Sequence, residues 1–349
     1  MIPFQFDRPD SIQRATKELS SDGAMALAGG TTLLDLMKLN VLTPTRLSYI
    51  KAILQREIAT QDLKLVVGAG CTMSQLADDA AVKTKLPAVR QSLILAASPQ
   101  IRNMATIGGN LLQRTRSAYF RHPDMPLPED VETKSPSSFE GIDTSLLAVL
   151  GNGGRLVGMY PGDFAVTLVA FDGSIDLVGP DGPRTVQARE FYQRPSDGAF
   201  QYTTSLKKGE LITAIGIPIS AALQHSIYFK VRERSSYAFA LASASIGLEL
   251  SGSGTSARIA AARVGLGGLG SIPWHSSEAE KILVGKTASD ETFQQAAEAA
   301  LASADPPAGL EYKVVLARRV IVRALQILRD QGPLNDEQVW AMQHGRGDQ

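Results

Sequence analysis

Apolar positions recur at helical spacing at Ile12, Ala15 and Leu19 behind Ser11, with Gly23 as the stop, so the spacing predicts a first helix there. Met25, Ala26, Leu27 and Ala28 form a short apolar run that predicts a buried strand. Gly29 and Gly30 are its turn, and Thr31 or Thr32 caps the helix patterned by Leu33, Leu34, Leu36 and Met37. Pro44 closes that stretch. Residues 47–50 and 63–67 read as strands, and Gly68, Ala69 and Gly70 lead from the second to a helix beginning near Ser74. This alternation of strand and helix makes the first part mixed α and β.

Residues 82–97 read as helical with an interruption at Pro87, and a polar corner follows at 100–110. Pro123, Pro126, Pro128 and Pro136 make 117–141 a long irregular loop. Segments 146–150 and 155–159 flank Gly151, Asn152, Gly153 and Gly154, a hairpin signal, and Asp163 precedes a short helix over 164–171. A second hairpin pairs 174–178 with 184–186. A strand over 211–217 ends before Pro218, and the domain junction is placed at 221–225. Beyond it come strands at 227–232, 239–250 and 257–266, then helices at 276–283, 292–304 and 312–328. The expected division is 1–222, 223–332 and a tail over 333–349, frayed from 345 onward.

Composition narrows the class. With 349 residues the chain is long enough for about two domains. Lys+Arg and Asp+Glu both number 35, so no bulk charge draws the protein to nucleic acid or an anionic membrane. Phosphate binding would have to come from local geometry. The single cysteine, Cys71, excludes an internal disulfide framework and any all-cysteine metal site in this chain, and reads as a small packed side chain. Charges and prolines in residues 1–10 do not resemble a signal peptide, and no apolar run reaches 18 residues, so the expectation is a soluble protein with no membrane span.

The Gly29-Gly30 corner has a partner in pattern at Thr106, Ile107, Gly108, Gly109 and Asn110. A diphosphate needs several donors at close range. Glycines let the backbone approach, and a helix start adds unpaired N–H groups. Either corner alone could be a plain turn; two of them, each flanked by hydroxyl or amide side chains, weaken that reading without removing it. A third glycine run, residues 265–270, formally fits G-x-G-x-x-G, but Pro273 and Trp274 delay the next helix and no acidic strand end follows. It reads as a strand-to-helix turn.

Four blocks then fall in order: AGGTTLLDLMK at 28–38, RNMATIGGNLLQRTR at 102–116, PGDFAVTLVAFD at 161–172 and YFKVRERSSYAFALASASI at 228–246. Together they resemble the FAD-binding (medium) subunits of the molybdenum hydroxylases, over roughly residues 3–328. The resemblance implies an α+β, two-domain flavoprotein with a vanillyl-alcohol-oxidase or PCMH-type FAD-binding domain and a smaller domain of antiparallel strands plus helices. It assigns residues 28–32 and 106–110 to the FAD pyrophosphate, and matches Asp163 and Lys230 to cofactor-contacting positions. A lysine near the flavin ring would stabilise its anionic reduced form, and a carboxylate would accept from ribityl hydroxyls. Without the family, Asp163 reads equally well as a helix N-cap and Lys230 as a solvated edge residue. His122 reads as exposed, and Tyr237 and Phe239 as core rather than flavin-stacking residues, although the resemblance places their segment near the flavin ring.

The aldehyde oxidoreductase branch of that family carries cluster-binding cysteines after the NLLQRTR motif. Here Ser117 stands at the first such position, and prolines and acids fill 125–136, so no [4Fe–4S] cluster is expected. The function implied is an oxidoreductase subunit that takes electrons from [2Fe–2S] clusters on a small partner, fed by a molybdenum–pterin site on a large partner. It would pass them through FAD to a terminal acceptor: oxygen, a quinone, NAD or a carrier protein. No catalytic side chain and no metal ligand is assigned. A stand-alone flavin oxidase with its own substrate pocket, and a flavin-free scaffold, are the competing readings. The default compartment is cytoplasmic, or periplasmic if a partner's signal exports the complex.

Overall fold

The computed structural model describes residues 1–121, 144–194 and 203–343. Strand β1 (Gln5–Asp7), helix α1 (Ile12–Leu19), β2 (Ala24–Leu27), α2 (Leu33–Lys38) and β3 (Arg46–Tyr49) open the chain. Their strands form a small parallel sheet in the order β1-β3-β2. Ser11 caps α1 as its sequence predicts, accepting from the Arg14 N–H. β1 has too few residues to show a period, and nothing in the pattern foretold it.

β4 (Ile58–Gln61) and β5 (Lys64–Gly68) are followed by a run of helices: α3 (Met73–Asp78), α4 (Ala80–Lys85), α5 (Pro87–Ile94), α6 (Pro99–Met104), α7 (Ile107–Leu111) and α8 (Ala118–Arg121). Pro87 starts α5, where its missing N–H costs nothing. The polar corner expected over 100–110 is corrected to two short helices, because Ser98 and Thr106 each cap a new start. Segments 146–150 and 155–159 form no regular strands; a bridge at Leu147 and Gly158 is what remains of the expected hairpin. Then come α9 (Phe164–Ala170), β6 (Ser174–Gly179), β7 (Gly182–Gln187), α10 (Ala188–Phe191) and β8 (Leu211–Pro218). The antiparallel sheet β4-β5-β8-β6-β7 closes this first unit.

After α11 (Ala221–Gln224), strands β9 (Ser226–Val231), β10 (Ala242–Ser251), β11 (Arg258–Gly267) and β12 (Trp274–His275) build a separate antiparallel sheet in the order β12-β11-β10-β9. Helices α12 (Ser277–Leu283), α13 (Asp290–Ala300) and α14 (Glu311–Asp330) follow, with α14 packed on β9 and β10. The glycine run at 265–270 finishes β11 and turns towards β12. The expected tail is corrected as well: residues 336–343 form α15 (Asp336–Gln343), with Leu334 and Val339 buried. Residues 345–349, expected to fray, lie outside the described residues.

α9 is buried on every face, as its apolar sequence requires. It packs against α5 and α7 of the first unit and against β10, β11 and β12 of the second. Asp163 immediately precedes it, so the residue is set where the two units meet.

Candidate functional site

β2 runs parallel to β3 as far as the Ile50 N–H bond to the Leu27 carbonyl, and the chain then leaves the sheet at Ala28. Gly30 takes a φ of 74°, a conformation that strains any residue with a Cβ. Beyond the turn, the N–H groups of Gly29, Gly30, Thr31, Thr32 and Leu33 donate to no acceptor among the described residues. The Thr32 hydroxyl makes no capping bond either. Backbone donors left open in a row at a helix start form an anion cradle.

The second glycine corner is different, and the expectation that it also presents backbone N–H groups is corrected. Ile107 N donates to the Cys71 carbonyl at 2.8 Å and Gly108 N to the Ala69 carbonyl at 3.0 Å. The Thr106 hydroxyl accepts from Gly109 N at 3.2 Å, and Asn110 N bonds the Thr106 carbonyl. Every donor there is used, two in docking α7 against the β5–α3 connection and two in the first turn of α7 itself. What the corner offers is a side chain: Asn110 is 6% exposed, its Nδ2 faces Met73 Sδ at 3.3 Å, and its Oδ1 has no partner. A buried amide oxygen without a donor is costly unless a ligand supplies one.

Between the corners lies a cleft of about 440 Å³. Of the sequence-predicted residues, Thr31, Thr32, Gly109, Asn110 and Asp163 line it. Met25, Ala26 and Leu27 are the strand behind; Ala28, Gly29 and Gly30 are the turn; Leu33 opens α2; Thr106 and Gly108 support the wall from within. The far wall comes from residues 233–241 between β9 and β10, with Tyr237 and Phe239 partly exposed there rather than in the core. Met73, Gln113 and Arg116 also line the cleft; Gln113 and Arg116 lie in the second family block without an assigned role, and no local pattern marks Met73. Arg116 lies 5.0 Å from the Phe239 ring centroid and pairs with Asp35 at 3.0 Å; burial pulls its pKa below the usual arginine value.

Lys230 is not at the cleft surface. It is 2% exposed and neither a solvated edge residue nor a lining one: Nζ donates to Asp163 Oδ2 at 2.8 Å and to the Leu95 carbonyl at 3.1 Å. Burial pulls the ammonium below the usual lysine range, while the Asp163 charge and hydrogen bond oppose that shift. Asp163 makes no capping bond to α9. Its Oδ1 instead accepts from the Tyr228 hydroxyl at 2.5 Å. The expected loop over 117–141 lies outside the described residues from 122 onward, His122 included; Ser117 is buried ahead of α8.

An open backbone cradle, an unpartnered amide oxygen and a held carboxylate around one cleft suit a ligand that carries both phosphates and hydrogen-bonding rings. That is the site of a two-domain flavoprotein. Residues 2–220 match the family described as the FAD-binding domain in molybdopterin dehydrogenase, and residues 227–328 the CO dehydrogenase flavoprotein C-terminal domain. The aldehyde oxidoreductase FAD-binding subunit PaoB of Escherichia coli K12 is 34% identical over 334 residues, 95% of this chain and 100% of that protein. The carbon monoxide dehydrogenase medium chain of Afipia carboxidovorans is 30% identical over 335 residues, 93% and 97% of the two chains. The crystal structure of the Cu,Mo-CO dehydrogenase in its cyanide-inactivated form superposes with a TM-score of 0.71 at 28% identity, over 94% of this chain and 99% of that one. The chain belongs to the family of FAD-binding medium subunits of molybdenum hydroxylases.

Proposed function

We propose that this chain is the electron-transferring flavoprotein of a three-subunit molybdenum hydroxylase. It would work beside a large molybdenum–pterin subunit and a small [2Fe–2S] subunit and deliver electrons to a terminal acceptor. The observation that carries the reading is the row of unpaired N–H groups from Gly29 to Leu33, whose Thr31 and Thr32 line a cleft walled by two domains. Similarity along nearly the whole chain to PaoB and to the carbon monoxide dehydrogenase medium chain supports it.

When bound, FAD supplies a carrier able to handle electrons singly and in pairs. The protein's part is to hold and tune it. The cradle from Gly29 to Leu33 takes the diphosphate, Asn110 Oδ1 accepts from a ligand donor, and Asp163 fixes polar groups at the deep wall. Residues of the segment 233–241 face the cradle from the second domain. No acid–base pair is required of these side chains. Among the described residues no helix is long and apolar enough to cross a membrane.

Purification of the chain from its native source tests the reading. Flavin absorption bands are expected, together with co-purifying molybdenum and iron–sulfur subunits. A chain without flavin, or one that oxidises an organic substrate alone, would overturn it.

A further inference from the structure

Asp163 lines the cleft from the first domain, yet the side chains that hold its carboxylate come from the second. Tyr228 and Lys230 lie two apart on β9 and so face the same way. Between them they occupy both oxygens of the Asp163 carboxylate. Ser243 stands opposite Lys230 across the β9–β10 ladder, and its hydroxyl lies 2.9 Å from that of Tyr228. A phenol has one hydrogen. With that hydrogen on Asp163, Ser243 must donate to the Tyr228 oxygen. All four side chains are buried.

We propose that Tyr228 is a positioning residue for the cofactor cleft: its hydroxyl fixes which way the Asp163 carboxylate faces, and through that bond the second domain sets how tightly the cleft holds FAD. The inference rests on the cleft being the FAD site. Burial and the Asp163 charge push the phenol well above its usual range, so the hydroxyl keeps its proton at every working pH. Lys230 supplies the countercharge and Tyr228 the direction. A carboxylate held only at Oδ2 could rotate about its Cβ–Cγ bond and change the face it turns to the cleft.

The experiment uses the full-length chain, stripped of flavin and titrated with FAD, with dissociation followed by flavin fluorescence. Tyr228→Phe keeps the ring and removes one hydrogen bond to a charged group, so its Kd for FAD is expected to rise about tenfold. The bound flavin's midpoint potential and visible band should shift with it. In an Asp163→Asn background the same substitution is expected to change Kd less than about twofold, because Tyr228 acts through the carboxylate. Equal factors in both backgrounds, or no change with Tyr228→Phe alone, would overturn the proposal. Failure of the wild-type chain to bind FAD would instead overturn the assignment of the cleft. If Tyr228→Phe does not fold, Ser243→Ala loosens the phenol from behind. A rise of about threefold in Kd, absent in the Asp163→Asn background, would then support the proposal, and no rise would refute it.

Discussion

Gly29 lies against the backbone of Met104: a Cβ at Gly29 would sit 2.9 Å from the Met104 carbonyl carbon and 3.0 Å from Ala105 Cα. The first glycine corner therefore abuts the α6–α7 junction just ahead of the second, main chain on main chain, and backbone cannot move aside as a side-chain tip can. Gly29→Ala is expected to push the α6–α7 junction away, cost about 1–3 kcal/mol and empty the cleft of flavin. The flavin-to-protein absorbance ratio reads the loss. Emission from Trp274, buried in the second sheet, should stay folded-like. Full flavin occupancy in the variant would show that the corner is only a turn.

Lys230 and Asp163 form an ion pair with side chains 1% and 5% exposed. Lys230→Met leaves a buried carboxylate with Tyr228 as its remaining side-chain partner, a loss of about 3–5 kcal/mol. Adding Asp163→Asn should recover much of that, since the uncompensated charge is gone. Urea unfolding of the single and double variants measures the difference. Simple additivity would mean the pair is not coupled.

How much of this was open to reading depends on distance along the chain. Ser11, Thr72 and Ser276 cap helices whose starts the spacing located to within a few residues, because caps and stripes are local. The hairpin of β6 and β7 was equally plain. The two glycine corners, by contrast, look alike as sequence and do opposite things. The fate of the Gly108 N–H is decided by the Ala69 carbonyl and that of Ile107 by Cys71, both far away in the chain. Family resemblance marked Asp163 and Lys230 without showing that they bind each other. Tyr228 opens the fourth family block, but no role attached to it there.

Arg90 fastens the C-terminal helix to the first domain. Its Nε bonds Asp336 Oδ1 at 2.8 Å and Oδ2 at 3.0 Å, while Gln91 Nε2 donates to the Leu334 carbonyl at 2.9 Å. At its other end, Gln343 Nε2 donates to the Lys230 carbonyl at 3.1 Å. Deleting residues 333–349 uncovers the sockets of Leu334 and Val339 and is expected to cost about 3–5 kcal/mol. Arg90→Ala should cost only about 0.5–1 kcal/mol, because Asp336 is half exposed. Denaturant midpoints of the two variants give the comparison, and a truncation no worse than the point substitution would mean α15 contributes little.

The pH dependence of stability should show at Glu210, which joins β7 to β8. Arg184 on β7 donates from Nε to Oε1 at 2.6 Å and from its second guanidinium nitrogen to Oε2 at 2.7 Å; Lys207 N adds a bond of 2.7 Å. The hydrogen bond from Arg184 holds the carboxyl below its ordinary value of 4.5, with burial opposing. A carboxylate whose pKa is lower folded than unfolded stabilises the fold fully above the unfolded value. Its contribution fades as the pH falls from there through the folded value. Glu210→Gln is therefore expected to lower stability by about 1.5–3 kcal/mol at pH 7. The gap from wild type should narrow steadily below pH 4.5. Thermal melts of both proteins across the acid range measure it. A gap that stayed constant or widened towards acid would assign Glu210 a role other than its ion pair with Arg184.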